Sequence, residues 1–215
     1  MKTGGRDVEH HTNEFAVMTF LAVIRHGKTE WNVTGLVQGS TDIPLNEIGA
    51  MDVAGWTVPN DFSEFRWLAS PLKRAFQTAS LLAGFEPEID ERLVEMAWGD
   101  WEGRTLVDLR EELGDLMVAW EAKGLDFHGP NGESPRDVQN RMAPLLQEIA
   151  AAGAPTLAVT HKGFIRALYA LAIDWDMVNK PPVKLLDDRV HLFKLDATGR
   201  PRVEKLNIEM NLSDE

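Results

Sequence analysis

The alternation of apolar and polar positions divides the chain into short buried runs and longer amphipathic ones. Residues 19–24 (Thr-Phe-Leu-Ala-Val-Ile) form a continuous apolar run, the pattern of a strand buried on both faces. The run stops at Arg25-His26-Gly27, and residues 28–44, polar and carrying Gly35, Gly39 and Pro44, read as a long loop. Residues 46 to about 56 predict a helix. A second buried strand is expected at 66–70, and Ser70-Pro71 then opens a helix with Leu72, Ala75, Phe76, Ala79 and Leu82 on one face, ended by Gly84. Residues 88–90 suit a short edge strand. Thr105 suits an N-cap for a helix to Leu113, which Gly114 separates from a second helix reaching about Lys123. Ser134-Pro135-Arg136-Asp137 combines a capping residue, a proline at the first helical position and an acid in the first turn. The helix it starts places Val138, Met142, Leu145, Leu146 and Ile149 on one face and ends near Gly153.

Residues 156–160 (Thr-Leu-Ala-Val-Thr) predict a third buried strand, stopping at His161-Lys162-Gly163, with 164–172 helical after it. Residues 189–195 and 202–208 alternate, and 197–200 between them suit a hairpin turn. Strands alternating with helices predict an α/β fold, a three-layer α/β/α sandwich around a mainly parallel central sheet. Residues 18–215 are expected to form one domain, with a helical excursion at about 91–133. Residues 1–17 read as a disordered leader before Met18.

Composition narrows the function. The chain has 215 residues, 22 Lys+Arg and 34 Asp+Glu, a formal net charge of −12, and no cysteine. The acidic balance argues against nucleic acid and anionic membrane as partners, which call for clustered bases. The lack of cysteine removes thiol nucleophiles and thiolate metal sites. No apolar run approaches the ~20 residues of a membrane helix, and no secretory apolar segment opens the chain, so a cytoplasmic location is expected.

Against this acidic background, the buried strands end in bases: Arg25 and His26, then Arg74 one turn into the next helix, then His161. In a parallel sheet these ends share one side of the molecule, where ligands bind. Two Arg and two His gathered there suit an anion, and a phosphate uses Arg forks and helix amides together. A zinc site built from His26, His161 and Glu95 would leave Arg25 and Arg74 repelling the cation.

Arg25-His26-Gly27-Lys28-Thr29-Glu30-Trp31-Asn32 resembles the R-H-G-x-T-x-W-N signature of the histidine phosphatase (phosphoglycerate mutase-like) superfamily. Further motifs follow in family order: Gln38-Gly39 with Asp42-x-Pro44-Leu45, then Ser70-Pro71-Leu72-x-Arg74-Ala75-x-Gln77-Thr78-Ala79. Next come Leu93-x-Glu95 with Gly99-x-Trp101-Glu102-Gly103, Gly132-Glu133-Ser134, and Thr160-His161-x-Gly163. The Trp-Glu-Gly form is similar to broad-specificity phosphatases and to the α-ribazole phosphatase and fructose-2,6-bisphosphatase branches.

The resemblance implies a phosphomonoesterase acting on a small phosphorylated metabolite through a phosphohistidine on His26, with no cofactor and no metal. Arg25, Arg74 and a charged His161 would hold the phosphoryl oxygens, and Glu95 would be general acid and then base. Asn32, Gln38 and Gly39 would contribute to the phosphate side. Lys28 and Lys162 depart from the usual family residues, and both are expected to favour a substrate with more than one anionic group. Glu102 reads as structural, bonding loop amides, while Trp98 and Trp101 are left between lining a pocket and covering the sheet edge. The alternatives are a mutase-type phosphoryl transferase and a non-catalytic phosphate or phosphoprotein binder. Hydrolysis is favoured over the mutase because Glu95-Met-Ala-Trp-Gly99 differs from the mutases' Glu-Arg-His-Tyr-Gly, and only Arg104, Arg110 and Lys123 lie as bases between Gly103 and Gly132. Histidine and general acid together argue against a mere binder.

Overall fold

A computed structural model describes residues 18–212. Its elements in order are β1 (Thr19–Arg25), α1 (Glu30–Thr34), α2 (Glu47–Ala54), β2 (Trp56–Thr57), β3 (Arg66–Ala69), α3 (Lys73–Ala83), β4 (Glu88–Ile89), α4 (Leu106–Leu113) and α5 (Asp115–Glu121). After them come α6 (Pro135–Ala152), β5 (Thr156–Thr160), α7 (Lys162–Ile173), β6 (Arg189–Leu195), β7 (Pro201–Glu209) and β8 (Asn211–Leu212). Six strands form one sheet in the order β4-β3-β5-β1-β6-β7, and β2 pairs separately with β8. From β4 to β1 the strands run parallel; β6 and β7 run antiparallel as a hairpin. The expected mainly parallel sheet is present.

The period-2 rule divides β1 between two cores. Leu21 and Val23 join Leu68 and Ala158 under Val138, Met142 and Leu146 of α6 and Phe164 and Leu168 of α7. Ala22 and Ile24 join Ala69, Leu157 and Val159 over Ala75 and Ala79 of α3. Helices therefore cover both faces. The caps act where their residues predict: Ser134 and Asp137 make a reciprocal capping box at α6, and Thr105 caps α4. Residues 91–133 wrap a small cluster of their own, in which Trp101, Leu109 and Met117 are buried and Trp98, Trp120 and Phe127 pack around them. The aromatic pair Trp98 and Trp101 belongs to this cluster.

Several local expectations shift. The loop at 28–44 contains α1, which Thr29 caps through a capping box with Asn32. The helix after Ser70-Pro71 begins only at Lys73, because Leu72 holds an extended backbone. The helix after His161 starts at Lys162 rather than 164. Residues 1–17, expected to be a leader, lie outside the described residues.

Candidate active site

The hydrogen-bond ladder continues one residue past the central strands. The His26 N–H donates to Thr160 O (3.0 Å) and the Ser70 N–H to Val159 O (3.0 Å). His26, His161 and Ser70 thus sit at the ends of β1, β5 and β3, with the β5 histidine between the other two. The two imidazole centroids are 5.1 Å apart.

His26 is 5% exposed. Its Nδ1 lies 2.7 Å from Gly27 O. A carbonyl only accepts, so Nδ1 carries the proton and Nε2 keeps its lone pair. Burial, then the charges of Arg25 and Arg74, hold its pKa well below the ordinary value of 6.5, so the ring is neutral at pH 7. The Gly27 N–H donates to Thr78 Oγ1 (2.9 Å), and that hydroxyl donates to Arg74 O (2.7 Å), linking the residue after His26 to the start of α3.

Arg74 is fully buried. One terminal nitrogen donates to Thr41 O (2.9 Å) and the other to Gly39 O (2.8 Å). Both carbonyls belong to a loop fastened by Glu102. Its Oε1 accepts from Ser40 N–H (2.9 Å), Ser40 Oγ–H (3.1 Å) and Trp98 N–H (3.1 Å), and its Oε2 from Thr41 N–H (2.8 Å) and Thr41 Oγ–H (2.5 Å). A side chain at Gly39 would collide with this carboxylate, so glycine is needed for the close approach. Glu102 is therefore a loop-holding residue.

His161 is fully buried; its Nε2 lies 2.8 Å from Ser70 Oγ. Burial, followed by the charges of His26, Arg74 and Arg25, keeps its pKa well below 6.5. The free protein thus carries a neutral imidazole here, where the resemblance implies a charged one. Arg25 Nε, Arg74 Nε, His161 Nδ1 and both polar ends of Gln38 are buried and without a partner among the described residues. Arg25 ends β1, His161 follows β5 and Arg74 opens α3, and their unpartnered nitrogens, with the Gln38 amide N–H groups, suit the oxygens of a phosphoryl group.

Glu95 is 7% exposed. It sits at the start of α7, accepting from Gly163 N–H (3.1 Å) on Oε2 and from Phe164 N–H (3.2 Å) and Met96 N–H (2.8 Å) on Oε1. Burial raises its pKa against the opposing pull of those N–H groups and of Arg74 and Arg25. Sequence reading missed what holds this segment. Arg141 donates to Arg92 O, Val94 O and Glu95 O and pairs with Glu133, whose other oxygen accepts from Ala97 N–H. The sequence allows an ion pair of Arg141 with Glu133 or Glu148, and the structure has the former; the three carbonyl bonds carry no sequence signal.

A cleft of about 920 Å³ opens over His26 and is lined by Arg25, Lys28, Asn32, Lys162, Asp187 and Asp188 among others. Asn32 spends its side-chain oxygen on the Thr29 cap, leaving its amide nitrogen for the cleft. The two lysines are not free: Lys28 pairs with Asp52 (2.8 Å), and Lys162 faces Asp187 (3.5 Å), which also holds Arg25 (2.5 Å). The acids Asp52 and Asp187 offset the charge the lysines bring. Among the described residues no group of three or more His, Asp or Glu is arranged to hold a metal ion, and no helix is long and apolar enough to cross a membrane.

A buried neutral imidazole at the end of a parallel strand, with the charges of Arg25 and Arg74 beside it, suits the binding of a phosphoryl group. The chain belongs to the histidine phosphatase superfamily (branch 1), whose family model matches residues 21–209, and it is an enzyme of the phosphatase class. It is 34% identical over 176 residues to a glucosyl-3-phosphoglycerate phosphatase of Mycobacterium tuberculosis, covering 75% of this chain and 78% of that protein. It is 30% identical over 206 residues to a 2,3-bisphosphoglycerate-dependent phosphoglycerate mutase of Allorhizobium ampelinum, covering 90% and 92%. Among solved structures it resembles the phosphoserine phosphatase of Entamoeba histolytica in complex with 3-phosphoglyceric acid, with a TM-score of 0.73, 28% identity, and 88% and 96% of the two chains covered.

Proposed function

We propose that the protein hydrolyses phosphomonoesters of small metabolites in two steps through a phosphohistidine on His26. The observation that carries this is the Nδ1–H donation from His26 to Gly27 O, which leaves Nε2 unprotonated in a buried ring whose neighbours Arg25, Arg74 and His161 have unpartnered buried nitrogens. Nε2 attacks phosphorus and the P–O bond to the alcohol breaks. Arg25, Arg74, His161 and Gln38 hold the phosphoryl oxygens, so that the transfer rests on positioning and charge neutralisation. Glu95, its pKa raised by burial, gives its proton to the departing oxygen. Glu95 then takes a proton from water, which attacks phosphorus, freeing phosphate and restoring His26.

Hydrolysis is supported over a mutase cycle by the state of the bases in the excursion: Arg104 pairs with Glu112 and Arg110 with Glu121, so neither waits for a second phosphate. The relatives named as phosphatases act on phosphate esters of small metabolites, in line with this reading. The test is a quenched incubation with a ³²P-labelled phosphomonoester. Acid-labile label on the wild type, its loss in His26→Ala, and release of inorganic phosphate are expected. Label retained in His26→Ala, or neither label nor turnover across a broad panel, overturns the proposal.

A further inference from the structure

Behind the wall formed by Arg25, Lys162 and Asp187 lies a second cavity of about 240 Å³. One side is a single face of α7, with Lys162, Ile165, Arg166 and Tyr169 at i, i+3, i+4 and i+7. Trp175 and residues 184–187, from the strap between α7 and β6, close the other side. The strap is pinned to the sheet. Asn207, with φ of 56° inside β7, accepts from Leu186 N–H (2.9 Å) and donates to Lys184 O (3.0 Å). His191 Nε2–H donates to Leu186 O (3.2 Å).

The lining combines apolar side chains with four cations, and Asp187 is its one carboxylate. The Arg166 guanidinium is half-buried over the Trp175 ring, 5.6 Å from its centroid. Among the described residues no carboxylate pairs with Arg166 or Lys184, in a chain with 34 acids. A guanidinium withdrawn from water without a counter-charge is costly. Burial depresses its pKa. An anion supplied from outside would repay that cost, and the ring beneath would keep the guanidinium flat against it.

The cavity is also within reach of the reaction. Lys162 follows His161, and Arg166 lies one turn farther, about 6 Å along the helix axis. Arg25, Lys162 and Asp187 line both this cavity and the cleft over His26, with Asp187 Oδ2 on Arg25 at 2.5 Å and Oδ1 facing Lys162 at 3.5 Å. A phosphoryl group on Arg25 would compete with Asp187 for the guanidinium. We propose that this cavity receives the alcohol part of the substrate: an apolar body laid along α7 that carries a second anionic group, held by Arg166 with Lys184 at the rim. The proposal rests on the phosphomonoesterase reading above and moves selectivity for a second anion from Lys28 and Lys162, which are paired, to Arg166.

The test compares kcat/KM for phenyl phosphate and 4-carboxyphenyl phosphate in the wild type, Arg166→Met and Arg166→Lys. The wild type is expected to favour the carboxylated ester by about tenfold or more, mainly through KM, as befits a charge-assisted contact. Arg166→Met is expected to abolish that preference and Arg166→Lys to keep part of it. An unchanged preference in Arg166→Met, or none in the wild type, overturns the proposal. Calorimetric binding of 4-carboxyphenyl phosphate to His26→Ala, with and without Arg166→Met, separates the two readings. If no ester turns over yet binding weakens about tenfold with Arg166→Met, hydrolysis fails and the subsite stands. If the esters turn over and binding ignores Arg166, the subsite fails alone.

Discussion

Replacing Glu102 by Gln tests whether the loop at residues 39–41 places Arg74. Every partner of the Glu102 carboxylate donates to it: three backbone N–H groups and two hydroxyls. The amide oxygen of Gln can serve the three donors on the Oε1 side. Its NH2 then faces the Thr41 N–H, while the Thr41 hydroxyl turns to accept. One charge-assisted bond is lost, a cost of about 2 kcal/mol for a half-buried site. For a domain of this size that corresponds to a fall in Tm of roughly 4–8 °C. The two carbonyls that hold Arg74 sit on this loop, at Gly39 and Thr41. If the whole cost reaches the guanidinium, kcat/KM falls by up to about 30-fold. The assay pairs thermal denaturation with kcat/KM on phenyl phosphate. A Tm drop with unchanged kcat/KM would show that the loop does not position Arg74, and an unchanged Tm would refute the bond count. pH supplies a control. Burial pushes the Glu102 pKa up, but the bonds from Thr41, Ser40 and Trp98 outweigh it and the net shift is below 4.5. A carboxylate with a depressed folded pKa stabilises above its unfolded pKa and loses that contribution as pH falls through the folded value. The wild type and Glu102→Gln should therefore converge in stability below about pH 4.5.

Two further outcomes follow from the site. In Gly163→Ala the new Cβ collides with the Glu95 carboxylate; kcat is expected to fall at least tenfold, with burst labelling of His26 slowed, and wild-type kcat would refute the placement of Glu95. His26, His161 and His191 all have folded pKa values below 6.5, mainly through burial. Below about pH 6.5 the unfolded chain takes up protons that the folded one refuses, so stability falls by up to about 4 kcal/mol per pH unit, with Glu95 opposing in part because its folded pKa is raised. Denaturant titrations at pH 7 and 5.5 check this; equal or greater stability at pH 5.5 would contradict it.

Local signals carried the scaffold. The apolar runs of β1 and β5, the Ser134-Pro135 start and the glycine stops announce themselves within a few residues. His26, Arg74, Glu95 and His161 stood out because each sits in a quotable motif. What escaped depends on partners far apart in the chain. Ser70 meets His161 across 91 positions and Thr78 meets Gly27 across 51. Asp187 reaches back to Arg25 and Lys162 from a strap with no periodicity, and Asp52 reaches Lys28 across 24 positions, so the lysines looked free. Arg166 lies on a helix whose apolar face was legible, but the cavity exists only because the strap stands off it. Helix α1 escaped for another reason: five residues are too few to show a period.

The Thr78 hydroxyl makes a mechanical joint. It binds the peptide of Gly27 on one side and the backbone of Arg74 on the other, spanning the ends of two strands that are separated in the sheet by β5. The separation of His26 from Arg74 is thereby set through two hydrogen bonds on one hydroxyl rather than through the summed positions of three strands.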